Sequence, residues 1–116
     1  MSNHHWISAS VRKMLLALVL PFAATGSALA AQESTIFTYD GQDFLRAQTT
    51  LTTEDGKSAV NTKLDRKSPA YKELVKNRSY TGEATVFGQK CDASYAPLTN
   101  ASGQLTGALF VAICNK

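Results

Sequence analysis

The N-terminal region of the chain has the layout of an export signal. Basic Arg12 and Lys13 precede an apolar run, MLLALVLPFAA, and small residues follow, with Ala28 and Ala30 at the third and first positions before the expected cut. A basic, then an apolar, then a small-residue region is typical of a signal peptide. We therefore expect cleavage after Ala30, which leaves residues 31–116 as a single small domain, periplasmic or secreted.

An uncleaved membrane anchor is the alternative to a cleaved signal. The apolar stretch from Met14 to Ala31 is about 18 residues long and contains Pro21, whereas a spanning helix needs roughly 20 strongly apolar residues. These features favour residues 1–30 as a removed signal peptide over an N-terminal anchor.

Removal of this segment changes the chemistry open to the mature chain. Both histidines, His4 and His5, lie in it, so histidine-based catalytic arrangements and histidine metal sites are excluded after cleavage. Arg12 and Lys13 are two of the 12 basic residues, and all 9 acidic residues lie outside the segment, so the net charge falls from +3 to +1. A nearly neutral surface indicates no nucleic-acid partner, and we expect no enzyme and no metal or other cofactor.

Two cysteines, Cys91 and Cys114, remain in the mature chain. An exported protein meets an oxidising compartment, in which a pair of thiols tends to form a disulfide. The bridge would close a loop of about 24 residues and stabilise the fold by roughly 3 kcal/mol. A reactive or metal-binding thiol pair is the alternative, but the C-x-x-C spacing typical of such pairs is missing.

Strand patterns dominate the mature chain and predict an α+β domain. A strand starts at Thr35 after a polar lead-in, and Asp40-Gly41 predicts a hairpin turn into DFLRAQTTLTT. Alternation in that second strand puts Phe44, Arg46, Gln48 and Thr50 on one face. A shorter third strand is expected around residues 58–61, so that the first three strands form a meander.

A short helix and three more strands are predicted after this meander. Ser68 is a good N-cap and Pro69 suits the first helical position, which predicts a helix ending near Asn77 and packed on the sheet. The strands SYTGEATVF, CDASYAPL and LTGALFVAIC follow, and the last is apolar on both faces, which favours a central position. The whole is an antiparallel sheet of about five to six strands with one short helix packed on it.

The last two strands should form a hairpin through Ser102-Gly103. If Ala101 pairs with Gln104 across a two-residue turn, Cys91 lies directly opposite Cys114. A shift of one residue would turn the two cysteines to opposite faces, so the disulfide depends on this register.

The order and spacing of several segments between residues 35 and 113 resemble the Cache sensor domains. These are the extracellular PAS-like modules of bacterial sensor kinases and of chemoreceptors, the methyl-accepting chemotaxis proteins. The segments are DFLRAQTTL, EDGKSAVNTKLD, PAYKEL, YTGEATVFG, YAPL and SGQLTGALFVAI. The resemblance implies a PAS-like fold with a small ligand held between the sheet and the segment that carries the helix.

Arg46 is the first candidate for a ligand-binding residue near that crevice. A guanidinium in a strand, between Phe44 and Gln48 on its own face, is suited to a two-point contact with a carboxylate. The alternative is a solvated strand arginine paired with a nearby acid.

Tyr80, Tyr95 and Tyr71 are candidates because tyrosine hydroxyls can orient a ligand in an apolar cleft. The alternative for each of them is packing in the core or at its rim. Thr62 and Lys63 are candidates because they lie in the connection that enters the helix, where loops commonly carry function.

The sequence thus predicts an exported, Cache-like sensory or binding module. Its ligand is expected to be a small molecule, an organic acid or an amino acid, and its partner in signal transduction a membrane receptor or a sensor kinase. One alternative is a structural or interaction protein without a ligand pocket that works as a homodimer or in a complex, and another is a small secreted inhibitor.

Overall fold

The computed structural model describes residues 30–115. The predicted signal peptide, apart from Ala30, lies outside the described residues. None of the helices in the described range has the length and apolar character that a membrane crossing requires.

Residues 30–115 form one antiparallel sheet of five strands and one short helix. In chain order these are β1 (Ala30–Tyr39), β2 (Phe44–Thr49), α1 (Pro69–Leu74), β3 (Tyr80–Val86), β4 (Gln89–Thr99) and β5 (Leu105–Asn115). The spatial order of the strands is β2-β1-β5-β4-β3. The predicted antiparallel sheet with one short helix is confirmed, and β5 is the central strand, as its apolar sequence predicts.

Strand β1 is longer than the sequence predicts. The expected polar lead-in before Thr35 is part of the strand, which starts at Ala30. Ala30 pairs with Asn115 and Ser34 with Val111, so these residues provide the antiparallel partner of the last part of β5. Without them that part of β5 would have backbone groups with no partner on one side.

The predicted third strand of a meander is wrong. Within residues 58–61, Ser58 forms an isolated bridge with Thr52. The chain then turns, because Thr62 N donates to Ala59 O and Asn61 has a φ of 69°, so no regular strand forms beside β2. The connection between β2 and α1, residues 50–68, nevertheless runs along the outer edge of β2. There Arg46 N donates to Thr62 O at 2.8 Å, and Asn61 N donates to Arg46 O at 2.8 Å. These bonds cover an edge that would otherwise be open to pairing with another chain.

Helix α1 begins as predicted and ends earlier. The Oγ of Ser68 accepts a hydrogen bond from Tyr71 N at 3.1 Å, which caps the first turn. The helix ends at Leu74, and Asn77 has left the helical region with φ of 60°. Ala70 and Leu74 are buried, so the helix packs on the inner face of the sheet.

The two cysteines face each other on β4 and β5 and form the predicted disulfide. The turn itself differs from the prediction, because Asn100 N donates to Gln104 O at 2.9 Å and the two-residue turn is replaced by a wider one. A register shift between Leu98 and Thr99 compensates for this difference. The pairing of Cys91 with Cys114 is therefore the predicted one.

The two faces of the sheet differ in their surroundings. The inner face carries the core, in which the largest buried side chains include Phe37, Phe44, Leu74 and Phe110. On the outer face the described residues leave Ile36, Leu109, Val111 and Ile113 between 41% and 53% exposed.

A charged brace joins the start of β2 to the segment before α1. Arg66 Nε donates to Asp43 Oδ1 and Arg66 Nη2 to Asp43 Oδ2, both at 2.8 Å, and Lys63 Nζ lies 3.4 Å from Asp43 Oδ2. The hydrogen bonds from Arg66 are the main reason why the pKa of Asp43 is lowered from 3.8 to about 2. This two-point contact fixes the connection relative to the sheet.

Replacing both cysteines should measure the contribution of the disulfide. We expect the Cys91→Ala/Cys114→Ala variant to lose about 3 kcal/mol of unfolding free energy, because its unfolded chain is no longer cross-linked. Urea unfolding of this variant, of the oxidised protein and of the reduced protein would show it. Equal urea midpoints for the oxidised and reduced proteins would contradict the expectation.

The brace should make stability sensitive to acid in a defined range. The pKa of Asp43 is lowered to about 2 in the folded state. The ionised carboxylate therefore stabilises the fold fully above about pH 4, and this stabilisation is lost as the pH falls towards 2. Asp43→Asn should therefore lower the free energy of unfolding at neutral pH. Between about pH 4 and about pH 2 this free energy should then decrease less in the variant than in the wild type. The matched control is Asp92→Asn on the exposed outer face, which should behave as the wild type in the same urea titrations.

Candidate ligand-binding site

A cavity of about 550 Å³ opens between the β3–β4 hairpin and the segment that leads into α1. This volume is in the range of small-molecule sites. The residues that line it are Arg46, Glu54, Lys63, Leu64, Asp65, Ser68, Pro69, Ala70, Tyr80, Glu83, Ala84, Thr85, Val86, Phe87, Gly88 and Tyr95. Four of the residues predicted to bind a ligand, Arg46, Lys63, Tyr80 and Tyr95, are among them.

Arg46 lies on the inner face of β2, immediately before a bulge. Arg46 pairs with Phe37 while Gln48 pairs with Ile36, so Ala47 is an extra residue in β2. Phe44 and Arg46 point towards the core, as alternation predicts, but the bulge turns Gln48 to the outer face. The prediction that Gln48 shares the face of Arg46 is wrong for this reason.

Hydrogen bonds to the connection and contacts with two aromatic rings hold the guanidinium of Arg46 in place. Its Nη1 donates to Thr62 Oγ1 at 3.2 Å and to Lys63 O at 3.0 Å. Its Cζ lies 5.3 Å from the ring centroid of Phe37 and 4.9 Å from that of Phe87. Both distances are within the range of cation–π contacts.

The other edge of this guanidinium has no partner within the described residues. Arg46 is only 4% exposed, and its Nε is the one buried side-chain nitrogen or oxygen in residues 30–115 that lacks a hydrogen bond. Nη2 likewise has no bond there, and no carboxylate forms an ion pair with Arg46 in this part of the chain. The alternative that Arg46 is a solvated arginine paired with a nearby acid does not fit this environment.

Burial without a countercharge gives Arg46 a strong preference for an anion. Removal from water lowers its pKa, but an arginine starts so high that the guanidinium stays charged. A buried charge with no partner is costly, and a carboxylate at the free edge would remove much of that cost.

Tyr95 adds a neutral hydroxyl beside this charge. The side chain is 3% exposed on β4, and burial raises the pKa of Tyr95 to about 12, with the charge of Arg46 acting in the opposite direction. Tyr95 therefore keeps its proton at neutral pH. Its hydroxyl can then donate one hydrogen bond and accept others.

Tyr80 and Lys63 line the cavity, but their polar groups already have partners. The Tyr80 hydroxyl donates to Glu83 O at 2.8 Å, so the tyrosine contributes mainly its ring. The ammonium of Lys63 is exposed and pairs with Asp43.

The structure places the two other predicted residues, Tyr71 and Thr62, outside the cavity lining. The Tyr71 hydroxyl donates to Gln42 O at 2.6 Å, and its ring meets the edge of Phe44. The Oγ1 of Thr62 accepts a hydrogen bond from Arg46 Nη1 and so helps to hold the guanidinium in place.

Phe87 is the main lining residue that the sequence patterns did not single out. It occupies the first position of the two-residue turn between β3 and β4, which is closed by the pairing of Val86 with Gln89. The dipeptide Phe87-Gly88 between two alternating segments was the available signal, because the first position of such turns normally takes Asn, Asp or Gly.

Metal binding finds no support in the described part of the chain. No group of three or more His, Cys, Asp or Glu side chains in residues 30–115 is arranged to hold a metal ion.

Comparison with known protein families identifies the domain. The family model of the Cache 3/Cache 2 fusion domain matches residues 22–116, a range that includes all five described strands, helix α1 and the cavity. No curated protein and no solved structure matches the chain. Cache domains are typically extracellular sensory modules. On the extent of this match, the chain belongs to the Cache 3/Cache 2 fusion domain family.

Proposed function

We propose that this Cache domain binds a small carboxylate in the cavity beside Arg46 and acts as a sensory module for a partner signalling protein. The observation that carries the proposal is the buried guanidinium of Arg46, a residue that lines the cavity and whose Nε has no hydrogen-bond partner in residues 30–115. The proposal is one of binding, with no catalytic step.

The chain itself contains an example of the contact that we propose. Arg66 holds the Asp43 carboxylate through Nε and Nη2. Arg46 has the same pair of donors without a partner in residues 30–115, since its bonds use Nη1. A ligand carboxylate would meet both donors in the side-on geometry that arginine prefers.

The lining of the cavity favours a ligand with a short apolar body. Leu64, Ala70 and Val86 are buried side chains at its wall, and the rings of Tyr80 and Tyr95 complete it. One unpaired cation suits one carboxylate. Exposed Glu54 and Asp65 at the same cavity could receive an ammonium group, so amino acids belong to the proposed ligand class together with simple organic acids.

Ligand binding would act on the segment that carries α1. Lys63, Asp65 and Ala70 line one side of the cavity while β3 and β4 line the other. A ligand between them would contact both sides, shift the helix segment relative to β3 and β4, and so change a surface that a membrane receptor or sensor kinase can recognise. That partner and the proposed periplasmic location stay predictions.

Thermal unfolding with matched ligands tests the binding proposal. We expect propionate or L-alanine to raise the unfolding temperature in a saturable way, because a ligand at 100 times its Kd stabilises the native state by about 2.7 kcal/mol. Propionamide and L-alaninamide, which lack the carboxylate charge, should give no shift.

Variants of two arginines provide the control. Arg46→Met should weaken carboxylate binding at least about tenfold, because it removes two charge-assisted hydrogen bonds. Arg78→Met removes an exposed arginine that pairs with Glu73 outside the cavity and should bind as the wild type. If Arg46→Met does not fold, Arg46→Lys keeps the charge but loses the two-point contact, and it should still bind more weakly.

The absence of any shift in the wild type with these carboxylates would refute the proposal, and so would wild-type affinity in the Arg46 variants. Sedimentation or size exclusion at several concentrations then tests the alternative of a homodimer without a ligand.

A further inference from the structure

Phe87 occupies a backbone conformation that does not suit it. In the turn between β3 and β4, φ is 48° at Phe87 and 79° at Gly88, and positive values at both positions define a type I′ turn. Asn, Asp and Gly tolerate this region, whereas a bulky side chain there is a genuine outlier.

The rest of the described chain respects this preference. The other non-glycine residues with positive φ in residues 30–115 are Asn61, at 69°, and Asn77, at 60°. Phe87 is thus the exception, and its turn would be more stable with asparagine. A residue kept in a strained conformation at a site points to a role in that site.

The strained turn places the Phe87 ring against the key side chain of the cavity. The ring centroid lies 4.9 Å from Arg46 Cζ, and Phe87 is itself part of the cavity lining. The two hydrogen bonds from Arg46 Nη1 to Thr62 and Lys63 restrain one end of the planar group, whereas its Nε and Nη2 have no bonds in the described residues. Contacts with the rings of Phe37 and Phe87 provide the remaining restraint on that plane.

We infer that Phe87 is a positioning residue of the carboxylate site, whose ring holds the Arg46 guanidinium in the plane that receives the ligand at the expense of turn stability. This inference rests on the proposed function. It goes further by naming a residue that acts through Arg46 and by predicting that stability and affinity change in opposite directions.

Phe87→Asn tests the inference directly. We expect the unfolding temperature without ligand to stay equal or rise, because asparagine suits the type I′ turn. Affinity for propionate or L-alanine, whichever the wild type binds more tightly, should fall about fivefold or more in isothermal titration calorimetry, because the cation–π contact is lost.

Two further substitutions separate the ring from the turn. Phe87→Tyr keeps both the ring and the strain, so affinity and unfolding temperature should match the wild type. Phe87→Leu keeps the strain and an apolar side chain but loses the ring, so affinity should fall with no gain in stability. As a mirror control, Asn77→Phe puts phenylalanine at an exposed positive-φ position and should lower the unfolding temperature without affecting binding.

Wild-type affinity in both Phe87→Asn and Phe87→Leu would overturn the inference and leave the proposed function standing. A lower unfolding temperature for Phe87→Asn would also overturn it, since the ring would then serve the core. If the wild type binds neither ligand, the proposed function fails and the inference fails with it.

Discussion

The pairing of β5 with both of its neighbours is the constraint on which the rest of the structure depends. β5 is bonded to β1 on one side and to β4 on the other along nearly its whole length. Gly107 permits the close approach to β1, since a Cβ at this position would collide with the carbonyl oxygen of Phe37. A shift of one residue in either ladder would exchange the inner and outer faces of a strand. The disulfide between Cys91 and Cys114 holds one of these ladders in register covalently.

The candidate site follows from this frame and from two local departures from regular strand structure. The extra residue Ala47 follows Arg46 in β2 and turns Gln48 to the outer face, and the type I′ turn at Phe87 brings a ring to the guanidinium of Arg46. The brace between Asp43 and Arg66 fixes the connection that forms the opposite wall. Regular elements thus provide the support, while a bulge, a turn and a connection provide the chemistry, as is usual for binding sites on rigid scaffolds.

The parts of the fold that depend on neighbours in sequence could be predicted. Ser68 caps α1 as expected because capping needs only the next few residues. Pairing between distant segments was harder, because the segment at 58–61 has a strand-like sequence but turns at residues 59–62 beside β2 and forms only an isolated bridge. In the hairpin of β4 and β5 the turn is wider than the sequence predicts, and the register shifts by one residue after Leu98. The two differences cancel, so the cysteines still lie opposite each other.

By itself the sequence determined the antiparallel α+β class and the central place of the apolar last strand, because periodicity and residue type carry that information. It predicted the bridge between Cys91 and Cys114 only for one register of the last hairpin, and the tertiary structure decided that register. It also named Arg46 as the first candidate for a contact with a ligand, with a solvated arginine as the alternative. Only the tertiary structure decided that this guanidinium is buried without a carboxylate, that Gln48 turns away from it and that Phe87 lies against it. These outcomes depend on which distant segments meet, and a one-residue bulge or a positive φ changes them without leaving a clear pattern in the sequence.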